Sequence, residues 1–329
     1  MLSLLGALSV LALPFGANNS ILSLFVFVGL YTIIGVGLCL LLGYAGQISL
    51  GQAAFYGIGA YSTAIFTTQF GLNPWIAMLC GMGLSVAIAY GVGRPLLKLQ
   101  QHYLALATLG FGMIIHLVFI EERAVTGGSQ GISSIPRLAL GSLVFDNDFK
   151  FYYLSFGFAL AGILLARNIV NSRIGRALKA VHTSEVAASS LGVPVTNIKA
   201  QVFALSAAYA SVAGSLFAHY ITFIAPNTFG VMTSVEFVVM AAVGGLASIW
   251  GPIFGAATVI FLRRLLQTWV PVIFPGATGE YEIVVFGIIL VLIMIFMPEG
   301  LVAGTRSLLR KRFKRRKQVN PAGEQGVME

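Results

Sequence analysis

The sequence predicts an all-α, polytopic integral membrane protein with about ten transmembrane helices. Hydrophobic residues make up 57% of the 329-residue chain and charged residues only 9%, whereas about a quarter of an ordinary soluble domain is charged. Long apolar stretches alternate with short polar connections along almost the whole chain. Most basic residues lie between these stretches or after the last one, so a membrane explains the net charge of +9 better than a nucleic-acid partner does.

Ten apolar segments approach the length of about 20 residues that a helix needs to cross the hydrocarbon core. In chain order they are 1–16, 20–42, 49–68, 73–93, 103–120, 151–166, 201–222, 236–249, 252–270 and 281–297. The first lacks the basic start and the cleavage pattern of a signal peptide, so we expect it to stay on the protein. The eighth and ninth are short and could form one re-entrant helical hairpin instead of two spans.

The distribution of lysine and arginine predicts the orientation, because short cytoplasmic loops carry an excess of both. With the carboxyl-terminal tail inside, most basic residues are cytoplasmic, two in the ninth segment are unassigned, and the external ones are Arg123, Arg137 and Lys150. Both termini are then cytoplasmic. We expect a transmembrane domain over residues 1–304 and a basic cytoplasmic tail over 305–329.

Two connections are too long to be simple turns. The external one, 121–150, contains several glycines and Pro136, which favour a loop with one short surface helix. The internal one, 167–200, begins with apolar residues at helical spacing, flanked by basic residues, which is typical of an amphipathic helix at a membrane surface. The apolar residues are Ile174, Leu178 and Val181, and the basic ones are Arg173, Arg176 and Lys179.

A second short helix is predicted in the internal connection. Ser184 is suited to cap its start, and Gly192 followed by Pro194 ends it after about two turns. Isolated helices shorter than about 12 residues are marginal in water. We therefore expect this helix to dock on a partner.

Several motifs occur in the order seen in LivM-like permeases of branched-chain amino-acid ABC transporters. They are GYAGQISLGQAAFYGIGAY (43–61), HYLALATLGFGMII (102–115), TGGSQGI (126–132), SRIGRALKAV (172–181) and VGGLASIWGPIFGA (243–256). The run EVAASSLG (185–192) is similar to the EAA-type cytoplasmic loop of such permeases, whose short helix sits in a groove of the ATPase subunit. The resemblance covers roughly residues 20 to 302. The family often has histidine at Gln52 and an acidic residue at Met113, so neither position receives a role by analogy.

The resemblance implies a permease subunit of a bacterial ABC importer in the cytoplasmic (inner) membrane, without catalysis or a cofactor of its own. The implied partners are a second permease, two cytoplasmic ATPase subunits and an external substrate-binding protein, and the implied substrates are branched-chain or related amino acids. The predicted ATPase-coupling residues are Glu185, Ala187, Ala188, Leu191 and Gly192, with Arg173, Arg176 and Lys179 supporting the surface helix.

The sequence contains no nucleotide-binding loop of the form G-x-x-x-x-G-K-[ST], so the energy must come from a partner or from an ion gradient. A gradient-driven secondary transporter of small polar solutes is the alternative, although such carriers bury ionisable groups in mid-membrane. Here three glutamates lie at predicted span ends: Glu236, Glu280 and Glu282. Neither paired catalytic groups nor metal-ligand spacing occurs, and His116 and His219 are interpreted as hydrogen-bonded packing residues.

The glycine-rich stretch 43–51 is interpreted as a cytoplasmic turn between the second and third spans, with polar side chains that satisfy freed backbone groups. The residues predicted to serve helix packing or the solute path are Gly46, Gln47, Ser49, Gly51, Gln52 and Gly57. A face of small residues after the turn favours close helix packing. Glu236 is a further possible path residue, or it only favours the positive end of its helix dipole.

Overall fold

The computed structural model describes Pro14 and residues 18–97, 99, 101–141, 143–273, 279–297, 300 and 301. Within these residues the chain is mainly helical. The α-helices are α1 (Asn19–Leu38), α2 (Gln52–Thr68), α3 (Pro74–Leu96), α4 (Gln101–Glu121), α5 (Arg123–Thr126), α6 (Asp148–Asn171), α7 (Arg173–Thr183), α8 (Glu185–Ser190), α9 (Val195–Ile221), α10 (Val231–Gly244), α11 (Gly251–Ile273) and α12 (Gly279–Phe296). A π-helical segment (Cys39–Tyr44) continues α1, and two 3₁₀ turns span Gly128–Gln130 and Pro226–Phe229.

Each predicted span after the first corresponds to a helix, while the predicted span 1–16, apart from Pro14, and the tail 305–329 lie outside the described residues. Among the residues that the structure describes, five helical segments are long and apolar enough to cross a membrane: Asn19–Tyr44, Pro74–Leu96, Tyr103–Glu121, Asp148–Asn171 and Val195–Ile221. Shorter apolar helical stretches are Val231–Gly244 and Val284–Ile293. At 1.5 Å per residue, the 14 residues of α10 cover about 21 Å of a hydrocarbon core about 30 Å thick. The count of ten spans stays a prediction.

Helix α9 forms the centre of the bundle, against α1, α2 and α3. Its contact with α2 is a close backbone approach, because a Cβ at Gly59 would overlap the backbone carbonyl oxygen of Ser211. A Cβ at Gly214 would in turn overlap the carbonyl oxygen of Tyr56. Small residues permit such approaches between membrane helices, where no hydrophobic drive brings the helices together.

Two ends of the bundle can be distinguished by their connections. At one end, which we call the hairpin end, the strands β1 (Ala139–Leu140) and β2 (Leu143–Val144) pair antiparallel. There Tyr220, near the end of α9, donates a hydrogen bond of 2.8 Å to Asp148 at the start of α6. Helices α7 and α8 lie at the other end, between the end of α6 and the start of α9.

The connection 121–150 contains more structure than the predicted loop with one helix. Besides α5 it holds a 3₁₀ turn and the β1–β2 hairpin, and Ile132 forms an isolated bridge with Ile224 beyond α9. The ammonium of Lys150 donates to Asp146 at 2.7 Å and so attaches the hairpin to α6. The strands have only two residues each, which is too short for a periodic signal in the sequence.

The predicted turn between α1 and α2 enters the bundle instead of lying on its surface. We call its non-helical residues, 45–51, the break. The backbone N–H of Leu50 donates to Thr108 Oγ1 at 3.0 Å, and Gln52 contacts Ser206. Thr108 lies about 10 Å along α4 from the first residue of that helix, and Ser206 lies about 16 Å along α9 from its first residue. The break therefore reaches well into the bundle. The glycines here serve close packing as well as chain reversal, and whether the turn is cytoplasmic stays a prediction.

Candidate functional site

Helix α7 follows α6 after a single residue, and a cap and a glycine fix the corner. Ser172 Oγ accepts a hydrogen bond of 3.2 Å from the backbone N–H of Ile174. A Cβ at Gly175 would overlap the carbonyl oxygen of Val170 near the end of α6. Glycine therefore allows α7 to leave α6 at this sharp angle.

The predicted apolar face of α7 is buried only in part. Leu178 and Val181 are 0% and 2% exposed, whereas Ile174 is 45% exposed. The predicted basic residues are all exposed: Arg173, Arg176 and Lys179. The ammonium of Lys179 lies 5.8 Å from the ring centroid of Tyr44, so one basic residue connects α7 to the end of the π-helical segment.

Helix α8 begins and ends at the predicted residues. Ser184 Oγ accepts a hydrogen bond of 3.3 Å from the backbone N–H of Ala187. The helix ends at Ser190, and Gly192 has a φ of +79°, which glycine adopts without strain. Ala188 is 2% exposed. The two-turn helix is thus docked on its own chain through one buried face.

The carboxylate of Glu185 forms an ion pair with the ammonium of Lys199 in α9. The side chain of Lys199 is 6% exposed and that of Glu185 is 56% exposed. A buried ammonium requires a counter-charge or other polar partners. Glu185 therefore attaches α8 to α9, and its open side remains accessible.

Two large apolar side chains are exposed at α8, one on the helix and one directly after it. Val186 and Leu191 are 76% and 82% exposed, and the neighbouring Ala187 and Gly192 are exposed as well. Leu191 was predicted from the sequence, but Val186 was not. The spacing of Val186 and Ala188 was a signal for it, because residues two apart on a helix point in nearly opposite directions. When Ala188 is buried, Val186 therefore points outward.

The predicted packing residues at the break and in α2 contact two different helices. Gly46 has a φ of +67°, and a Cβ there would lie 2.9 Å from Nδ1 of His182 in α7. A Cβ at Gly51 would lie 2.8 Å from a backbone carbonyl oxygen of α4, and one at Gly57 would lie 2.5 Å from an aromatic ring of α4. Ser49 Oγ accepts a hydrogen bond of 3.4 Å from Gly51. The break is thus packed against both α7 and α4.

Two glutamines of this segment are buried with unpaired amide atoms. Gln47 is 3% exposed, and neither its Oε1 nor its Nε2 has a hydrogen-bond partner among the described residues. Gln52 is 0% exposed. Its Nε2 donates to Ser206 Oγ at 2.8 Å, while its Oε1 has no partner in the same part of the chain. Buried polar atoms of folded proteins are rarely left in this state.

Glu236 does not begin its helix, since α10 begins at Val231. Its carboxylate forms an ion pair with Arg263 of α11, and the guanidinium lies 5.6 Å from the ring centroid of Phe286 in α12. The helix-dipole explanation does not apply, because that effect is largest within the first turn. The ion pair instead connects α10, α11 and α12.

The two histidines of the apolar helices differ in their contacts. A ring nitrogen of His219 forms a hydrogen bond of 2.6 Å with the backbone carbonyl of Pro136. Nδ1 of His116 is buried without a hydrogen-bond partner among the residues that the structure describes. Across the same residues there is no cluster of three or more side chains suited to hold a metal ion.

The structure brings the predicted coupling residues together on one surface, formed by α7, α8 and the two residues after α8 (173–192), which we call the coupling surface. Gly46 lies next to it, against His182 of α7, and Tyr44 contacts Lys179. Glu236 instead pairs with Arg263 of α11. Lys199, the partner of Glu185, was not predicted from the sequence.

Comparison with known proteins places these features in a family. Residues 20–294 match the family described as "Branched-chain amino acid transport system / permease component". The chain is 30% identical to the high-affinity branched-chain amino acid transport system permease protein LivM of Salmonella typhimurium, over 91% of this chain and 74% of the relative. It is 31% identical to LivM of Escherichia coli, over 92% and 75%.

A second kind of permease is also similar: the chain is 25% identical to LivH of Escherichia coli over 82% of this chain and 90% of the relative. No solved structure matches. The family match and the apolar helices identify an integral membrane protein. The chain belongs to the family of permease components of branched-chain amino acid transport systems.

Proposed function

We propose that this chain is a permease subunit of an ABC importer for branched-chain amino acids. It forms the translocation path with a second permease, and separate ATPase subunits drive transport from the end of the bundle that carries α7 and α8. Its relatives LivM and LivH bear the names of branched-chain amino acid transport permeases. This relationship supports the ABC importer over a gradient-driven secondary transporter.

The observation that carries the proposal is an exposed apolar pair, one residue on α8 and one directly after it. Val186 and Leu191 are largely exposed, on a short helix that is held in place by the burial of Ala188 and the ion pair of Glu185. A helix that is fixed on one side and apolar on the other is suited to enter a groove of another protein. We assign the ATPase subunit as that protein and the coupling surface as its binding site.

The same proposal gives the orientation. If the ATPase binds the coupling surface, α7 and α8 are cytoplasmic and the hairpin end is external. The exposed basic residues of α7 would then lie in the cytoplasm, in agreement with the distribution of lysine and arginine in short loops. An external substrate-binding protein would deliver the amino acid to the hairpin end.

The test is a pair of variants, Val186→Asp and Leu191→Asp, in a complex expressed with the second permease and the ATPases of the same transport system. Burying a leucine or valine side chain contributes about 1.5–3 kcal/mol, so each variant should lower ATPase association roughly tenfold or more. Co-purification of the ATPase and ATP-driven leucine uptake in proteoliposomes are the measurements.

Val125→Asp is the matched control, since Val125 is also exposed, at 43%, but lies in α5 at the opposite end of the bundle. We expect the control to keep the wild-type amount of bound ATPase. If both α8 variants retained the wild-type amount of ATPase and the wild-type uptake rate, the coupling surface would be wrongly assigned.

A further inference from the structure

Three buried polar side chains follow one another along the break and the first turns of α2. Gln47 has two unpaired amide atoms, Gln52 has an unpaired Oε1, and the hydroxyl of Tyr56 is also without a partner in the described chain. Gln52 and Tyr56 are four residues apart on α2 and therefore lie on the same face of the helix. The fold thus maintains several free hydrogen-bonding atoms in its interior.

The two glutamines are not needed to satisfy the backbone of the break. The backbone N–H of Leu50 already donates to Thr108 Oγ1 at 3.0 Å, and that of Ala53 donates to Ser234 Oγ at 2.9 Å. Irregular backbone at membrane depth is tolerated where protein or a water-filled path satisfies it. Here hydroxyl groups from other helices do so, and the amide groups of the glutamines remain available for something else.

The surroundings of these atoms combine a neutral polar surface with an apolar wall. Residues 45–56 contain no charged side chain. The ring of Tyr56 has its centroid 5.5 Å from that of Phe217, 5.3 Å from that of Phe229 and 5.5 Å from that of Phe237. Such a region suits a solute without net charge that has a polar head and an aliphatic side chain.

We propose that the break and the first turn of α2 bind the polar head of the transported amino acid, with Gln47 and Gln52 as the contacting side chains. A carboxamide oxygen accepts hydrogen bonds from the solute ammonium, and a carboxamide N–H donates to the solute carboxylate. Ser206 holds the Gln52 amide in place through Nε2 and leaves Oε1 for the solute. The inference rests on the proposed function, which supplies the class of solute.

The site is closed in this conformation, as the small exposed fractions of both glutamines indicate. Helix α4 covers the break through Thr108, and the ring of Phe111 packs on Phe55 with centroids 5.3 Å apart. The opposite side of α4 is exposed, for example Leu106 at 65% and Ile114 at 63%. A displacement of α4 therefore opens the site without separating α2 from α9.

The test uses Gln47→Met and Gln52→Met in the complete transporter, reconstituted in proteoliposomes with its external binding protein. Methionine has a similar length but lacks the amide. Removing an unpaired buried amide leaves a fold equally stable or more stable. If the glutamine has only a structural role, its variant should therefore transport leucine normally. We expect an unchanged or higher thermal unfolding temperature for Gln47→Met, together with roughly tenfold less radiolabelled leucine taken up per ATP hydrolysed.

Ser85→Ala is the matched control. Ser85 is 0% exposed on α3, and its Oγ likewise lacks a partner in the part of the chain that the structure describes. This variant should transport leucine at the wild-type rate. Uptake per ATP within about twofold of wild type in both glutamine variants would overturn the site and leave the proposed function standing. A wild-type complex that hydrolyses ATP but takes up no branched-chain amino acid would refute the proposed function itself, and with it the assigned solute.

Discussion

The ion pair between Glu185 and Lys199 predicts that Glu185→Ala will undock α8 locally. Breaking a fully buried pair costs about 3–5 kcal/mol, while an exposed pair contributes about 0–1 kcal/mol. The Lys199 side chain is 6% exposed but that of Glu185 is 56% exposed, so solvent screening discounts the pair. An intermediate cost of about 1.5 kcal/mol raises the undocked population of α8 roughly tenfold.

Hydrogen–deuterium exchange followed by mass spectrometry measures this population directly. In Glu185→Ala we expect roughly tenfold faster exchange in peptides covering 184–192, because opening frees the amide groups of α8. Peptides from the centre of α9 should not change. Ser189→Ala is a control on the same helix, since its hydroxyl bonds only to the carbonyl of Val186 within α8.

A double variant separates the ion pair from other effects of the substitution. Lys199→Met removes the buried ammonium, so adding it to Glu185→Ala should restore much of the protection. Exchange of Glu185→Ala at the wild-type rate over 184–192 would show that the ion pair does not hold α8 in place. That role of the ion pair is also refuted if the double variant exchanges faster than the single one, because the unpaired charge would then not be the cause.

Two further predictions concern the membrane bundle, and thermal unfolding of the purified protein tests both. Gly59→Ala should lower the unfolding temperature by several degrees, because its Cβ would overlap the backbone of Ser211 and overpacking costs about 1–3 kcal/mol. Gly83→Ala, whose Cβ would meet nothing within 4 Å, should leave it unchanged or slightly raised, and equal temperatures for the two variants would contradict the close-packing argument. Glu236→Leu should lower the unfolding temperature by leaving Arg263 unpaired, and Arg263→Leu added to it should restore part of the loss. An additive effect of the two leucine substitutions would show that the ion pair does not contribute.

Local signals were sufficient to predict the helices of the coupling surface. The cap at Ser184 and the left-handed glycine at Gly192 each act within a few residues, so the sequence around them determines where α8 begins and ends. The burial of α7 was predicted less well, because Ile174 has the same spacing as Leu178 but lies on the exposed part of the helix. Periodicity identifies a face, and tertiary packing decides how much of that face is covered.

The features that were not predicted depend on contacts between residues far apart in the sequence. The ion pair of Glu236 with Arg263 depends on how α10 and α11 fold back on each other, through glycines at Gly244 and Gly255 that bring the backbones into contact. The depth of the break depends on Thr108 in α4 and on the hydroxyl groups of other helices. None of these partners can be assigned from the spacing of residues along one segment, which is why the sequence predicted a turn but not its depth in the bundle.

The coupling surface and the proposed solute site are separated by only one residue of the break. On α7, Lys179 lies over the ring of Tyr44 and His182 lies against Gly46, which immediately precedes Gln47. Close-packed interiors transmit displacement because they contain few voids that could absorb it. Gly46 has little freedom to yield, since its left-handed backbone and its contact with the imidazole fix its position. A movement of α7 towards or away from the bundle must therefore move the backbone that carries Gln47, and this links the proposed ATPase-binding surface to the buried polar groups by direct contact.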